Sequence, residues 1–210
     1  MFVTNSQLLL QYPELFNQVK NYYNESHRFY HNWDHIVYGF LIFDKIKDFE
    51  VDIVTELAWI FHDVIYLPFN FNSNNDNHTN EKLSAKFIDF FLQSNSPEFY
   101  EKYNSEIKEA QKIIIGTENH IPFDERSNVI FDVDMSYLGY SYEEFQKIRE
   151  LVRKEYKFIS NKDFYEGTIK FIDTLLQQKQ IYFSKYGFEN WERQARINLT
   201  LEKSKLLKLI

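Results

Sequence analysis

The chain has no cysteine among its 210 residues. That absence excludes a disulfide framework, a thiolate zinc site and a cysteine nucleophile, so any metal must sit on His, Asp or Glu. Glycine and proline are scarce, at 5 and 4 residues, too few to punctuate a protein of many strands. Apolar residues instead recur at helical spacing, and the expected fold class is all-α. Positive charge is also short, with 24 Lys and Arg against 31 Asp and Glu and a formal net charge of −7. A long nucleic-acid partner held by phosphate neutralisation is therefore excluded, although a local basic pocket is not. No apolar run approaches a membrane span, and Met1 to Leu10 carries neither a basic stretch nor a long apolar core. The expectation is a cytoplasmic protein with no membrane partner.

What the chain does have is hydrophobic and aromatic surface, 44% and 19% of residues, with 21 Phe and 15 Tyr. These supply a core large enough for one domain over residues 1–210, with 141–210 as C-terminal packing helices. Helices are expected from Pro13 to about Asn24 and from Asp34 as N-cap through Ile46. A helix over about Val51 to Ile65 is apolar nearly all round and so central. Further helices are expected at about Glu81–Gln93, Ser105–Asn119, Ser141–Ile159, Phe164–Gln177 and Glu189–Leu209, with Ser141 and Glu144 spaced as a capping box. The Asn-rich stretch Asn70 to Asn80 reads as a mobile surface loop able to cover a site.

Three clusters carry the chemistry. His62-Asp63 closes the apolar helix, where an ionised carboxylate is costly unless a cation or strong donors compensate it. A divalent metal would do so, and a hydrogen-bonded His-Asp pair is the alternative. In Tyr30-His31-Asn32-Trp33-Asp34-His35, the two histidines share a face if the segment is helical, while Asp34 as N-cap leaves only His35 on the helix. Two solvated histidines are the plainer reading. In Asp132-Val133-Asp134 two carboxylates interrupt an apolar run and repel each other if buried together. One can bind metal while the other accepts backbone donors, or either can cap a short helix.

Taken in order, these stretches resemble the His-Asp (HD) superfamily of metal-dependent phosphohydrolases, and within it a bacterial group of predicted HD phosphohydrolases. The resemblance extends over Tyr30-His31-Asn32 with His35-Ile36, Trp59 to Tyr66, Asn80-Glu81 with Ser84-Ala85, Thr117 with His120, Asp132 to Asp134 with Leu138-Gly139, and Glu192 to Leu199. It implies a helical bundle of the HD-domain, phosphodiesterase-like type, with His35, His62, Asp63 and Asp134 as metal ligands. Many relatives carry a Glu three residues after the His-Asp pair, where this chain has Tyr66. Glu81 and His120 are the candidates for proton transfer or substrate contact; a first-turn Glu and a polar helix end are their plainer roles. Asp63 joins them as a catalytic candidate.

The resulting expectation is hydrolysis of a small phosphorylated metabolite, a nucleotide or a relative, by metal-activated water. Arg28, His31 and Asn32 would orient the substrate, the Arg28 fork matching phosphate oxygens or else forming a surface ion pair. His27 and His78 read as solvated. The donor set suits one or two ions of Mn, Fe, Co, Ni or Zn better than Mg. Two rivals stand beside this: oxygen chemistry at a pair of iron ions, with His31 and His120 as additional ligands, and a non-enzymatic metabolite-binding module. A homodimer is left open.

Overall fold

A helix in which every residue from Val54 to Phe61 is buried has no solvent face, so other elements must wrap it on all sides. The computed structural model, which describes residues 6–68 and 79–210, builds the protein around that helix. Among the described residues there are twelve α-helices and no strand. They are α1 (Gln7–Gln11), α2 (Pro13–Tyr23), α3 (Trp33–Phe43), α4 (Ile53–Phe61), α5 (Asn80–Asn95) and α6 (Pro97–Lys102). There follow α7 (Asn104–Gly116), α8 (Glu125–Asp134), α9 (Tyr142–Glu155), α10 (Asn161–Gln177), α11 (Lys185–Asn190) and α12 (Glu192–Leu206). A 3-10 turn, Ser136–Gly139, links α8 to α9.

The central α4 packs on α1, α3, α5, α7 and α8, and its most extensive contact is with α7. Its buried Glu56 accepts hydrogen bonds from the Ser6 hydroxyl and the Gln7 and Leu8 amides, tying the first turn of α1 to the core. On the other side Gly39 of α3 lies where any Cβ would overlap the Trp59 ring, so glycine permits the close approach of α3 and α4. The Trp59 indole N–H donates to the Ile36 carbonyl at 2.8 Å across the same joint. The C-terminal part packs α10 on α12, and α12 on the 3-10 turn.

The all-α expectation holds, and the Ser141–Glu144 capping box is present. Several boundaries differ. The cap of α3 is Asn32 rather than Asp34: the Asn32 side chain accepts the Asp34 amide, which places Asp34 in the first turn, where a carboxylate suits the helix dipole. The central helix stops at Phe61 rather than Ile65. Side chains take carbonyls in its last turn and in the turn beyond, Tyr23 Oη donating to Ile60 O at 2.7 Å and Arg28 to Asp63 O and Val64 O at 2.6 and 2.9 Å. Three helices were not anticipated: α1, capped by Ser6, α6, begun by Pro97, and α8, whose capping box joins Asp124 and Ser127. The last expected helix is two, α11 and α12, parted at Trp191, which packs over Gly139. Of the Asn-rich segment only Thr79 and Asn80 are described, as N-cap and first residue of α5; the rest, His78 included, lies outside the described residues.

Candidate metal centre

The turn that ends α4 points two neighbouring residues the same way. His62 is the C-cap, and its Nδ1 lies 2.8 Å from the Trp59 carbonyl, which makes Nδ1 a donor and turns Nε2 toward the neighbouring carboxylates. Trp59 also stacks on the His62 ring, with centroids 4.6 Å apart. Asp63 follows, its carbonyl held by Arg28 and its Oδ2 3.2 Å from His62 Nε2.

From α3, His35 brings its Nε2 to 3.3 Å from His62 Nε2 and 3.3 Å from Asp134 Oδ1, the latter reaching in from the last residue of α8. One donor atom from each of His35, His62, Asp63 and Asp134 lies within 4.8 Å of the other three, the histidines buried and the carboxylates half-buried. Two imidazole nitrogens and two carboxylate oxygens in that space can hold a divalent ion.

The electrostatics of the site favour a cation. Burial disfavours charge on both carboxylates, but His62 and His31 outweigh it for Asp63, and hydrogen bonds from His120, His35 and His62 outweigh it for Asp134, so both stay ionised well below the ordinary range. Burial likewise opposes a proton on His62, yet Asp63 and Asp134 raise its pKa well above normal, whereas burial and its neighbour His62 hold His35 low. The two carboxylates thus draw one positive charge into the pocket.

The adjacent carboxylates on α8 do not meet. A two-residue offset on a helix turns Asp132 away from Asp134, and it accepts the Phe183 and Ser184 amides and the Ser184 hydroxyl. Burial pushes the Asp132 carboxyl up to about 6, against those three donors.

Around the four lie the remaining candidates. His120 Nε2 is 3.0 Å from Asp134 Oδ2, and its backbone adopts φ 50. A non-glycine residue in that left-handed region, just beyond the C-terminus of α7, is held there by its surroundings. Burial raises the pKa of Glu81, its own backbone amide opposes this, and the Asp63 and Glu118 charges add to the rise. His31 does not share a helical face with His35, because it precedes the Asn32 cap; their ring centroids are nevertheless 6.1 Å apart.

Two expected substrate contacts are engaged with the protein. Arg28, its side chain fully buried, donates to the carbonyls of His31, Asp63 and Val64, and the ion pair weighed as its alternative is present with Glu25 at 2.9 Å. Asn32 accepts from Asp34 and donates to Phe29 O. His27 is not solvated but half-buried, its Nε2 2.9 Å from the Tyr66 carbonyl.

Sequence reasoning missed Glu155. It is 2% exposed at the end of α9, and Oε1 accepts the amides of Phe29, Tyr30 and His31 at 2.8, 2.7 and 3.0 Å. Oε2 meets His31 Nδ1 at 2.7 Å and the Tyr66 hydroxyl at 3.0 Å. Burial works against this carboxylate, but the His31 charge and the donors bring its pKa down to about 2. For His31 the order is the same: burial lowers, and Glu155 with Asp63 more than restores, so its pKa is raised. The signal was available, since Phe145, Ile148, Val152 and Glu155 fall on one helical face and the first and third are buried with Glu155. An acid in a last helical turn also opposes the dipole unless something compensates it. Glu155 also gives Tyr66 its partner, a phenol donating to a carboxylate that arrives from α9.

No family model matches this chain and no curated protein matches it, so its function must be argued from the four convergent ligands and the imidazole–carboxylate pair beside them.

Proposed function

We propose that the protein is a metal-dependent phosphohydrolase of the HD type, acting on a small phosphorylated metabolite such as a nucleotide. The observation that carries this reading is the convergence of His35, His62, Asp63 and Asp134 within 4.8 Å, from three helix ends far apart in sequence. A divalent ion at such a set, of Mn, Fe, Co, Ni or Zn, supplies Lewis acidity toward phosphoryl oxygens and lowers the pKa of water from about 15.7 toward about 7.

The chain's own groups supply the rest. His31 has Nδ1 committed to Glu155, which directs Nε2 as its remaining site for a phosphate oxygen or a departing alkoxide; its side chain is 21% exposed and so reachable. Glu81, with its raised pKa, is suited to take a proton from water on the Asp63 side. Arg28 fixes the turn that carries Asp63 and acts on the reaction through that residue.

Elemental analysis of purified protein, followed by a phosphate-release screen over nucleotides and sugar phosphates with each metal, tests the proposal. His62→Ala and Asp63→Ala should lose both bound metal and at least about 100-fold in turnover. Full turnover by either variant in the presence of a chelator would overturn it.

One observation favours a second reading. Asp134 offers Oδ1 to His35 and His62 and Oδ2 to His120, so a single carboxylate joins the cluster to a third imidazole. That arrangement suits two ions, and iron at both would support oxygen chemistry. Anaerobic iron loading with an oxygen-dependent optical change would favour this rival; phosphate release with manganese alone would favour the phosphohydrolase. Among the described residues no helix is long and apolar enough to cross a membrane.

A further inference from the structure

Helices α3 and α9 and the segment before α3 border a cavity of about 380 Å3, within the range of pockets that take small organic molecules. Of the four candidate metal ligands only His35 lines it; His62, Asp63 and Asp134 do not. Its walls are aromatic, formed by Phe29, Tyr30, Tyr38, Trp59 and Tyr140, with Ile148 and Leu151 of α9 opposite.

His35 is 8% exposed, and its Nε2 faces His62 and Asp134. Its Nδ1 makes no hydrogen bond to any described residue, in contrast to His62, whose Nδ1 meets Trp59 O at 2.8 Å. An imidazole that ligates through Nε2 carries its proton on Nδ1 and almost always donates it to an acceptor. Because Nε2 is engaged with His62 and Asp134, Nδ1 is the ring nitrogen of His35 left for a ligand in this cavity. The Ser136 and Tyr140 hydroxyls, 2.9 Å apart, line the same cavity. At its rim stand Asp34 and Glu144, and the one lysine, Lys147, is paired with Glu143 at 2.7 Å. The lining thus sets two carboxylates against one lysine, which disfavours an anion, while a flat neutral ring finds stacking faces and an unpaired imidazole nitrogen.

We propose that this cavity is a second binding site, for a small uncharged planar heteroaromatic molecule whose ring nitrogen or carbonyl accepts the His35 Nδ1–H. The site meets the candidate metal centre through His35 alone among the four ligands, and it does not depend on which reaction that centre performs.

The test uses metal-loaded protein and three probes: adenine as the neutral heterocycle, benzoate as the anion and trimethylphenylammonium as the cation. Titration calorimetry should show adenine binding at least about tenfold tighter than either charged probe. Ile148→Trp, which fills the cavity from α9, should weaken adenine at least about tenfold with metal content unchanged. In the unaltered protein, long-range 1H–15N spectra should show the His35 Nδ1 resonance moving on adenine addition while that of His62 stays. The proposal is overturned by the absence of saturable adenine binding, by tighter binding of either charged probe, or by a His35 signal indifferent to bound adenine. Undiminished binding in a folded, metal-replete Ile148→Trp protein overturns it as well.

Discussion

A carboxylate that is 2% exposed and accepts five hydrogen bonds responds to acid differently from one in water. Glu155 has a folded pKa of about 2 against an ordinary 4.5, so its stabilisation is complete above 4.5 and fades as pH falls toward 2. His31 shifts the other way: its raised pKa makes its contribution complete below the ordinary 6.5 and lost as pH rises through the folded value. The pair is therefore strongest between 4.5 and 6.5. In that window Glu155→Gln should cost about 3 kcal/mol in urea unfolding of metal-free protein, and less on either side. A cost independent of pH would mean that Glu155 serves only as an acceptor for backbone amides. At this scale the sequence was informative where a charged residue interrupted an apolar run, as His62-Asp63 and Asp134 do. It was less so for Arg28, whose guanidinium faces the distant carbonyls of Asp63 and Val64, and for Asn32, whose polar groups are spent on neighbouring backbone. Glu155 lay on a patterned face but read as one more charge among Arg153 and Lys154.

Between α3 and α4 the contact is set by one missing methyl group. A Cβ on residue 39 would overlap the Trp59 ring, and Trp59 both bonds to Ile36 and stacks on His62, so the ring cannot yield without moving a candidate ligand. Gly39→Ala should destabilise the protein by about 1–3 kcal/mol. It should also weaken metal binding about 10- to 100-fold in chelator competition, as displaced supporting groups do. Unchanged metal affinity in a destabilised variant would show that the Trp59 stack does not hold His62. Helix identity was legible from apolar spacing for α2, α4, α5, α7, α9 and α10, because each has a face to bury. The ends were harder. Where α4 stops goes with Tyr23 and Arg28, from a separate segment, taking carbonyls at its end and just beyond, whereas the start of α3 is a local choice between neighbouring caps, Asn32 and Asp34. The short α1 and α6 had too few turns to establish a period, and α8 buries the consecutive run Val129 to Val133, Asp132 included, which leaves no alternating face to read.

On the scale of the whole molecule, the candidate ligands come from α3, the end of α4 and the end of α8, so an ion held by all of them would tie separated parts of the chain together. An ion that binds only the folded form stabilises it by mass action, about 2.7 kcal/mol at one hundred times its dissociation constant. Thermal unfolding should accordingly shift upward with added manganese or zinc, fall back with chelator, and become insensitive to either in His62→Ala. A melting temperature indifferent to metal in the unaltered protein would contradict the ion's place among these four side chains. Among the C-terminal helices expected to pack over residues 141–210, α9 also reaches the candidate site, since its Glu155 binds the His31 segment.

That reach of 124 residues from His31 to Glu155 bears on how the protein is made. During synthesis His35, His62 and Asp63 leave the ribosome well before α9 does, and until then three consecutive amides at Phe29 to His31 have no carboxylate to receive them. A nascent chain stalled short of residue 155 would carry the four candidate ligands without the latch that sets His31 beside them, so this part of the site is completed late in translation.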